Sequence, residues 1–165
     1  TLRGLLGSEG FDLVVHAAAV SDFTPDSVVV DGVSTPVGDS GKIESRAGRG
    51  VAITLRENPK LIDGLKSWSR NERCAVVGFK LTAGAGERER EGAARALLER
   101  SRADLVVSND RSEIAGDAHP FACYALAADG SLILARRGGT KRDLADFLEA
   151  ECAEWARIRI KEQLL

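Results

Sequence analysis

The chain has 165 residues, 44% of them hydrophobic and 29% charged, with 23 basic against 25 acidic side chains and a formal net charge of −2. Those values fit a single globular domain over residues 1–165 and exclude a disordered chain. The balanced charge does not favour a nucleic-acid partner, and no apolar run approaches the ~20 residues that a membrane span needs.

The chain opens on Thr1 and contains no methionine. Leu2, Leu5 and Leu6 read as the tail of a helix, with Gly7 and Gly10 as stop signals. A segment preceding Thr1 in a longer gene product is therefore expected. Residues 12–17 follow as a short apolar, valine-rich run, which predicts a buried strand. It ends in His16-Ala17-Ala18-Ala19, small residues that let another group approach the backbone, with Asp22 just beyond.

Residues 24–40 are rich in Pro, Asp, Gly and Ser. Within them Val28-Val29-Val30 followed by Asp31-Gly32 predicts a small hairpin. Gly41-Lys42-Ile43-Glu44-Ser45 comes next and offers a cation in flexible surroundings. Residues 51–56 alternate apolar and polar, as in a half-exposed strand. Asn58-Pro59 then reads as the cap and first turn of a helix carrying Leu61, Ile62, Leu65 and Trp68 at helical spacing.

A second buried strand is predicted over 74–79 and a small-residue loop over 82–86. A charged helix follows over 87–102, with Ala94, Leu97 and Leu98 facing inward, and a third buried strand over 104–108. Runs at 121–127 and 132–135 flank Ala128-Asp129-Gly130, a predicted hairpin. From Thr140 a long amphipathic helix aligns Leu144, Phe147, Leu148, Cys152, Trp155 and Ile158. The alternation predicts an α/β, Rossmann-like fold: a mainly parallel sheet with helices on both faces, a C-terminal β-hairpin and a long terminal helix.

Cys74, Cys123 and Cys152 form no CxxC pair and no metal-ligand cluster, so reduced thiols in a cytoplasmic protein are expected. In open α/β sheets, ligands bind at the carboxyl ends of the strands. The polar groups predicted there are Asp22, Lys80, Thr82, Asn109 and Asp110. Each is also an ordinary loop-starting residue in the plainer reading. His16 is either a buried histidine satisfied by backbone or a base at this edge. His119 reads as a surface loop residue, and Trp68 and Trp155 as core. Gly84-Ala85-Gly86 before a helix offers free N–H groups to an anion. Lys42 suits a mobile flap that closes on developing negative charge, or is a solvated surface lysine.

The segments HAAAVSDF, GKIES, ENPKLI, VVGFKLT, ADLVVSND and GTKRDLA, in that order and over nearly the whole chain, resemble the phosphopantothenate–cysteine ligase family, also called phosphopantothenoylcysteine synthetase. In bacteria this domain is often fused to a flavoprotein decarboxylase. The AAAVSDF and GFKLT wording is closer to the eukaryotic-type enzymes. The resemblance implies ligation of cysteine to 4′-phosphopantothenate through an acyl-nucleotide intermediate in coenzyme A biosynthesis. It implies CTP or ATP as co-substrate with Mg²⁺, metal ligands unassigned, and a cytoplasmic homodimer. It places His16, Ala17, Ala18, Asp22, Lys42, Asn58, Pro59, Lys60, Leu61 and Phe79 at the nucleotide, with Lys42 and Asp22 in the catalytic role.

The chain departs from the family pattern in three places. The N-terminal strand and Gly-rich loop with its asparagine are not in this sequence. The two phosphate-reaching lysines of the bacterial fusions align with Leu97 and Ser101, leaving Arg95, Arg100 or Arg102 as substitutes of different geometry. Ala118-His119-Pro120 stands where an asparagine is usual. The other readings are a non-catalytic nucleotide-binding or regulatory homologue and a short-chain dehydrogenase-like enzyme. The latter needs a Tyr-x-x-x-Lys pair, and Ala128 lies four residues after the only tyrosine, Tyr124.

Overall fold

A computed structural model describes residues 1–38 and 50–163, leaving aside the side chains of Cys152 and of residues 156–163. The chain divides into two compact units, residues 1–17 with 62–165, and residues 18–61.

The first unit is built on a five-stranded sheet in the order β1-β5-β6-β7-β8. Its strands are β1 (Leu13–His16), β5 (Ala75–Thr82), β6 (Leu105–Asp110), β7 (Ala118–Leu126) and β8 (Leu132–Thr140). β1, β5 and β6 run parallel, and β7 and β8 add to β6 as an antiparallel hairpin. This is the predicted α/β arrangement, with β8 running five residues beyond its predicted end at residue 135.

Side-chain alternation along the strands divides the core in two. Val76, Val106 and Tyr124 face a cluster with Leu6, Ile62, Leu65, Ala94, Leu97 and Leu98. These come from α1 (Leu2–Ser8), α2 (Leu61–Trp68) and α3 (Glu87–Ser101). Val77, Val107, Phe121 and Cys123 face the opposite way, against Leu144, Phe147, Leu148 and Trp155 of α4 (Lys141–Gln163). Both tryptophans pack against core clusters, as their helical spacing predicts.

Strand β1 corrects one expectation. It is only half-buried and Val15 is 45% exposed, because β1 stands at the margin of the sheet and pairs on one side with β5. β5 and β6, flanked on both sides, are buried through Ala75–Gly78 and along all of β6.

Two glycines of the sheet, Gly78 and Gly138, are fixed by close approach. A Cβ on Gly78 would lie 2.6 Å from Ile62 Cδ1, so the absent side chain lets α2 settle on β5. A Cβ on Gly138 would lie 2.4 Å from the Phe121 ring.

The second unit is a three-stranded antiparallel sheet in the order β3-β2-β4. It comprises β2 (Phe23–Val30), β3 (Val33–Pro36) and β4 (Val51–Glu57). The Asp31-Gly32 turn has positive φ at both residues, 50° and 82°, as a two-residue hairpin requires. The cross-strand pairs Val30↔Val51, Val28↔Ile53 and Val30↔Val33 put valines and isoleucine on one face. The other face carries Ser27, Ser34 and Thr54, whose hydroxyls bond one another. The hairpin is the one read from the valine run, whereas its pairing with β4 depends on contacts more than twenty residues apart.

Candidate functional site

Three of the residues singled out from sequence meet at one end of the second unit. Asp22 directly precedes β2, and Asn58 and Lys60 directly follow β4. Antiparallel pairing of Phe23 with Glu57 therefore brings the two segments side by side. The Lys60 ammonium donates to Asp22 Oδ1, and the backbone N–H of Asn58 donates to the Asp22 carbonyl at 2.8 Å. Asn58 Nδ2 donates to the Ser21 carbonyl at 3.0 Å, and Asn58 Oδ1 accepts from the Thr24 hydroxyl at 2.8 Å.

That arrangement corrects the helix-cap reading of Asn58. Both polar atoms of its side chain are spent across the strand pair, and α2 begins only at Leu61. Asn58 instead locks the turn that presents Lys60 to Asp22. Pro59 and Ala18 are exposed, and Leu61 is half-buried.

In the first unit, His16 ends β1 opposite Gly78, and Phe79 is the next residue of β5. His16 and Phe79 thus lie at neighbouring parallel strands, with exposed Ala17 just past the end of β1. Phe79 is half-buried and packs against the cluster under α4. His16 is half-buried rather than enclosed, and no hydrogen bond joins its side chain to another described residue. Lys42 lies outside the described residues.

The Gly84-Ala85 loop does receive an anion, but it is the protein's own. Asp110 Oδ1 accepts from Gly84 N–H at 2.8 Å and Oδ2 from Ala85 N–H at 2.9 Å. The same carboxylate accepts from the Thr82 hydroxyl at 2.7 Å and the Ser112 hydroxyl at 2.6 Å. The hydroxyls of Ser112 and Thr82, then the N–H groups of Ala85 and Gly84, hold the Asp110 carboxyl far below the usual carboxylate range against the opposing effect of burial. Asp110 is 1% exposed and acts as the internal tie between β5, the loop before α3 and the turn at Arg111–Glu113.

The positions aligned with the family's phosphate-reaching lysines face inward. Leu97 is 6% exposed and Ser101 is 1% exposed, the latter donating to the Leu97 carbonyl at 2.6 Å. Arg95 is bonded to Glu99 and to the Gly130 carbonyl, and Arg100 to Asp63. Ala118-His119-Pro120 is the start of β7 rather than a loop, and His119 is half-buried with its Nδ1 unpartnered among the described residues. The surface-loop reading of His119 is corrected accordingly.

One feature escaped the sequence reading. A cavity of about 310 Å³ lies where the first turns of α3 face β6, β7 and β8. Ser108, Tyr124, Arg90 and Arg137 are among its walls. The only signal for it in the sequence is Ser108, a hydroxyl directly after the apolar run Leu105-Val106-Val107.

Among the described residues, no group of three His, Cys, Asp or Glu side chains is placed to hold a metal ion. No described helix is long and apolar enough to cross a membrane.

Residues 7–154 match the model of the DNA/pantothenate metabolism flavoprotein C-terminal domain family. The chain is 32% identical over 143 residues to the coenzyme A biosynthesis bifunctional protein CoaBC of Thermococcus kodakarensis, covering 87% of this chain. It spans only 31% of the length of that relative. Its fold is similar to that of the DNA/pantothenate metabolism flavoprotein from Streptococcus pneumoniae, with a TM-score of 0.74 and 23% identity over 93% of this chain and 67% of that one. It is also similar to a Cab2 H337A mutant in complex with phosphopantothenate-cysteine, with a TM-score of 0.64 and 17% identity over 96% of this chain and 50% of that one.

Proposed function

The chain belongs to the DNA/pantothenate metabolism flavoprotein C-terminal domain family, and from that membership we propose that it ligates cysteine to 4′-phosphopantothenate in coenzyme A biosynthesis. The match over residues 7–154 carries the reading. The Asp22–Lys60–Asn58 cluster supports it, because these are residues at which the ligase resemblance places the nucleotide.

The proposed reaction has two steps. A carboxylate oxygen of phosphopantothenate attacks the α-phosphorus of CTP or ATP, forming an acyl–phosphate bond while pyrophosphate leaves. The cysteine nitrogen then attacks the acyl carbon and forms the amide. The nucleoside monophosphate departs, and the amine proton passes to solvent. Attack of one anion on another depends on charge neutralisation and in-line positioning. Lys42 and Lys60, the latter oriented by Asp22, supply positive charge. His16, Ala17, Ala18, Pro59, Leu61 and Phe79 supply nucleotide contacts.

Mg²⁺, entering with the triphosphate, would supply neutralisation of the phosphate charge. Such an ion uses one or two carboxylates together with phosphate oxygens and retained water, and Asp22 is the carboxylate suited to it here.

The exposed apolar face of the second unit supports a homodimer. Ile53 and Leu55 of β4 are 59% and 56% exposed, with Val33 at 68%, a surface that a second copy would cover. A cytoplasmic location completes the proposal.

Mixing the protein with phosphopantothenate, Mg²⁺ and either nucleotide tests the first step as pyrophosphate release. Addition of cysteine tests the second as release of the nucleoside monophosphate. Lys42→Gln should cut pyrophosphate release severely, and an unchanged rate would remove Lys42 from the mechanism. Nucleotide binding without pyrophosphate release would favour a regulatory homologue instead.

A further inference from the structure

The cavity under the start of α3 is built like a binding site, and nothing in the proposed ligase chemistry uses it. Its wall includes Ser108, 4% exposed, whose hydroxyl has no hydrogen-bond partner among the described residues. A buried hydroxyl left unpaired is costly, and native structures rarely leave one unless a ligand or water completes it. Tyr124, 3% exposed, stands beside it, and no bond joins its hydroxyl to another described residue. At about 310 Å³ the space falls at the lower end of the volumes that small-molecule sites occupy.

The charges around this space select the ligand. Arg90 Nη1 donates to Glu113 Oε2 at 2.7 Å, and Arg137 Nη2 donates to Glu87 Oε1. All four residues line the cavity. Each pair presents one cation and one anion, so the rim is neutral overall yet strongly dipolar. A guanidinium has five N–H donors and a carboxylate several lone-pair directions, so each partner keeps capacity for a further bond. A lone anion would meet Glu87 and Glu113, and a lone cation would meet Arg90 and Arg137. A small molecule carrying both charges satisfies both kinds of group.

We propose that this cavity binds a free α-amino acid as its zwitterion, the carboxylate on Arg90 and Arg137, the ammonium on Glu87 and Glu113, and Ser108 completing the set. The site lies wholly within the first unit and does not depend on the ligase reading.

Titration calorimetry with glycine and L-serine, against acetate and methylammonium as single-charge controls, tests it. The amino acids should bind and the controls should not. Ser108→Ala removes a hydroxyl that bonds no other described residue, so it should leave thermal stability intact and weaken binding by about tenfold. Arg137→Gln, on an exposed part of the rim, should weaken it comparably. Equal binding of acetate would overturn the proposal in favour of a simple anion site. Absence of amino-acid binding, or wild-type affinity in both variants, would overturn it as well.

Discussion

Lys60 and Asp22 lie 38 residues apart in sequence, yet the lysine ammonium donates directly to the aspartate carboxylate. Both are residues that the ligase resemblance assigns to the nucleotide. In the proposed reaction this pairing would orient Lys60 before any phosphate arrives and so reduce the rotamer freedom lost on binding.

The pair is solvent-accessible, with the Asp22 side chain 60% exposed. Exposed ion pairs contribute only ~0.2–1 kcal/mol. Asp22→Asn should therefore leave the denaturation midpoint nearly unchanged. Pyrophosphate release at limiting nucleotide should fall by about tenfold, each decade corresponding to ~1.4 kcal/mol. A large stability loss with undiminished release would assign Asp22 to folding alone.

Asp110 should govern part of the acid sensitivity. Its carboxyl is depressed on folding, so its contribution to stability is complete above the unfolded value of ~3.9. That contribution is lost as pH falls below that value toward the folded one. Asp110→Asn should be clearly destabilised at pH 7, and its deficit relative to the parent should shrink as pH falls from about 4 toward 2. Urea unfolding across that range measures the gap.

The two close-packed sheet glycines, Gly78 and Gly138, should differ in tolerance. In Gly138→Ala the new methyl meets the ring of buried Phe121, which is rigid, and a cost of about 1–3 kcal/mol follows. In Gly78→Ala it meets the tip of Ile62, which has a terminal rotor to turn aside. Denaturant titration should rank Gly138→Ala as the more damaging of the two.

Burial, with the carboxylate of Glu151 adding to it and Arg136 opposing it, pushes the Cys123 thiol up to about 12. The thiolate is the reactive form. Cys123 should resist maleimide or disulfide reagents at pH 8 in the native protein and react once denaturant is added, as read by peptide mass mapping.

If a second copy covers the apolar face of β4, then Ile53→Lys should convert the dimer to monomer in sedimentation velocity without loss of helical signal. Ile53 is 59% exposed, so the folded chain tolerates the charge.

What the sequence determined by itself was local. Val28-Val29-Val30 before Asp31-Gly32 specified its hairpin through turn chemistry, and the stripe containing Leu144, Phe147 and Leu148 specified a core-facing helix through periodicity. The α/β alternation followed from the same signals, which repeat every two or 3.6 residues. Tertiary structure alone decided the rest, because it rests on polar groups that are distant in the chain and can each bond in several ways. Asn58 reads as a helix cap, but Ser21 and Thr24 claim its side chain. Gly84-Ala85 reads as an open anion loop, but Asp110, more than twenty residues later, fills it. Ser108 carried no reading until the sheet turned it toward Arg90 and Arg137. Which partner a hydrogen-bonding group takes is set by what folding brings within about 3 Å, and no periodicity encodes that distance.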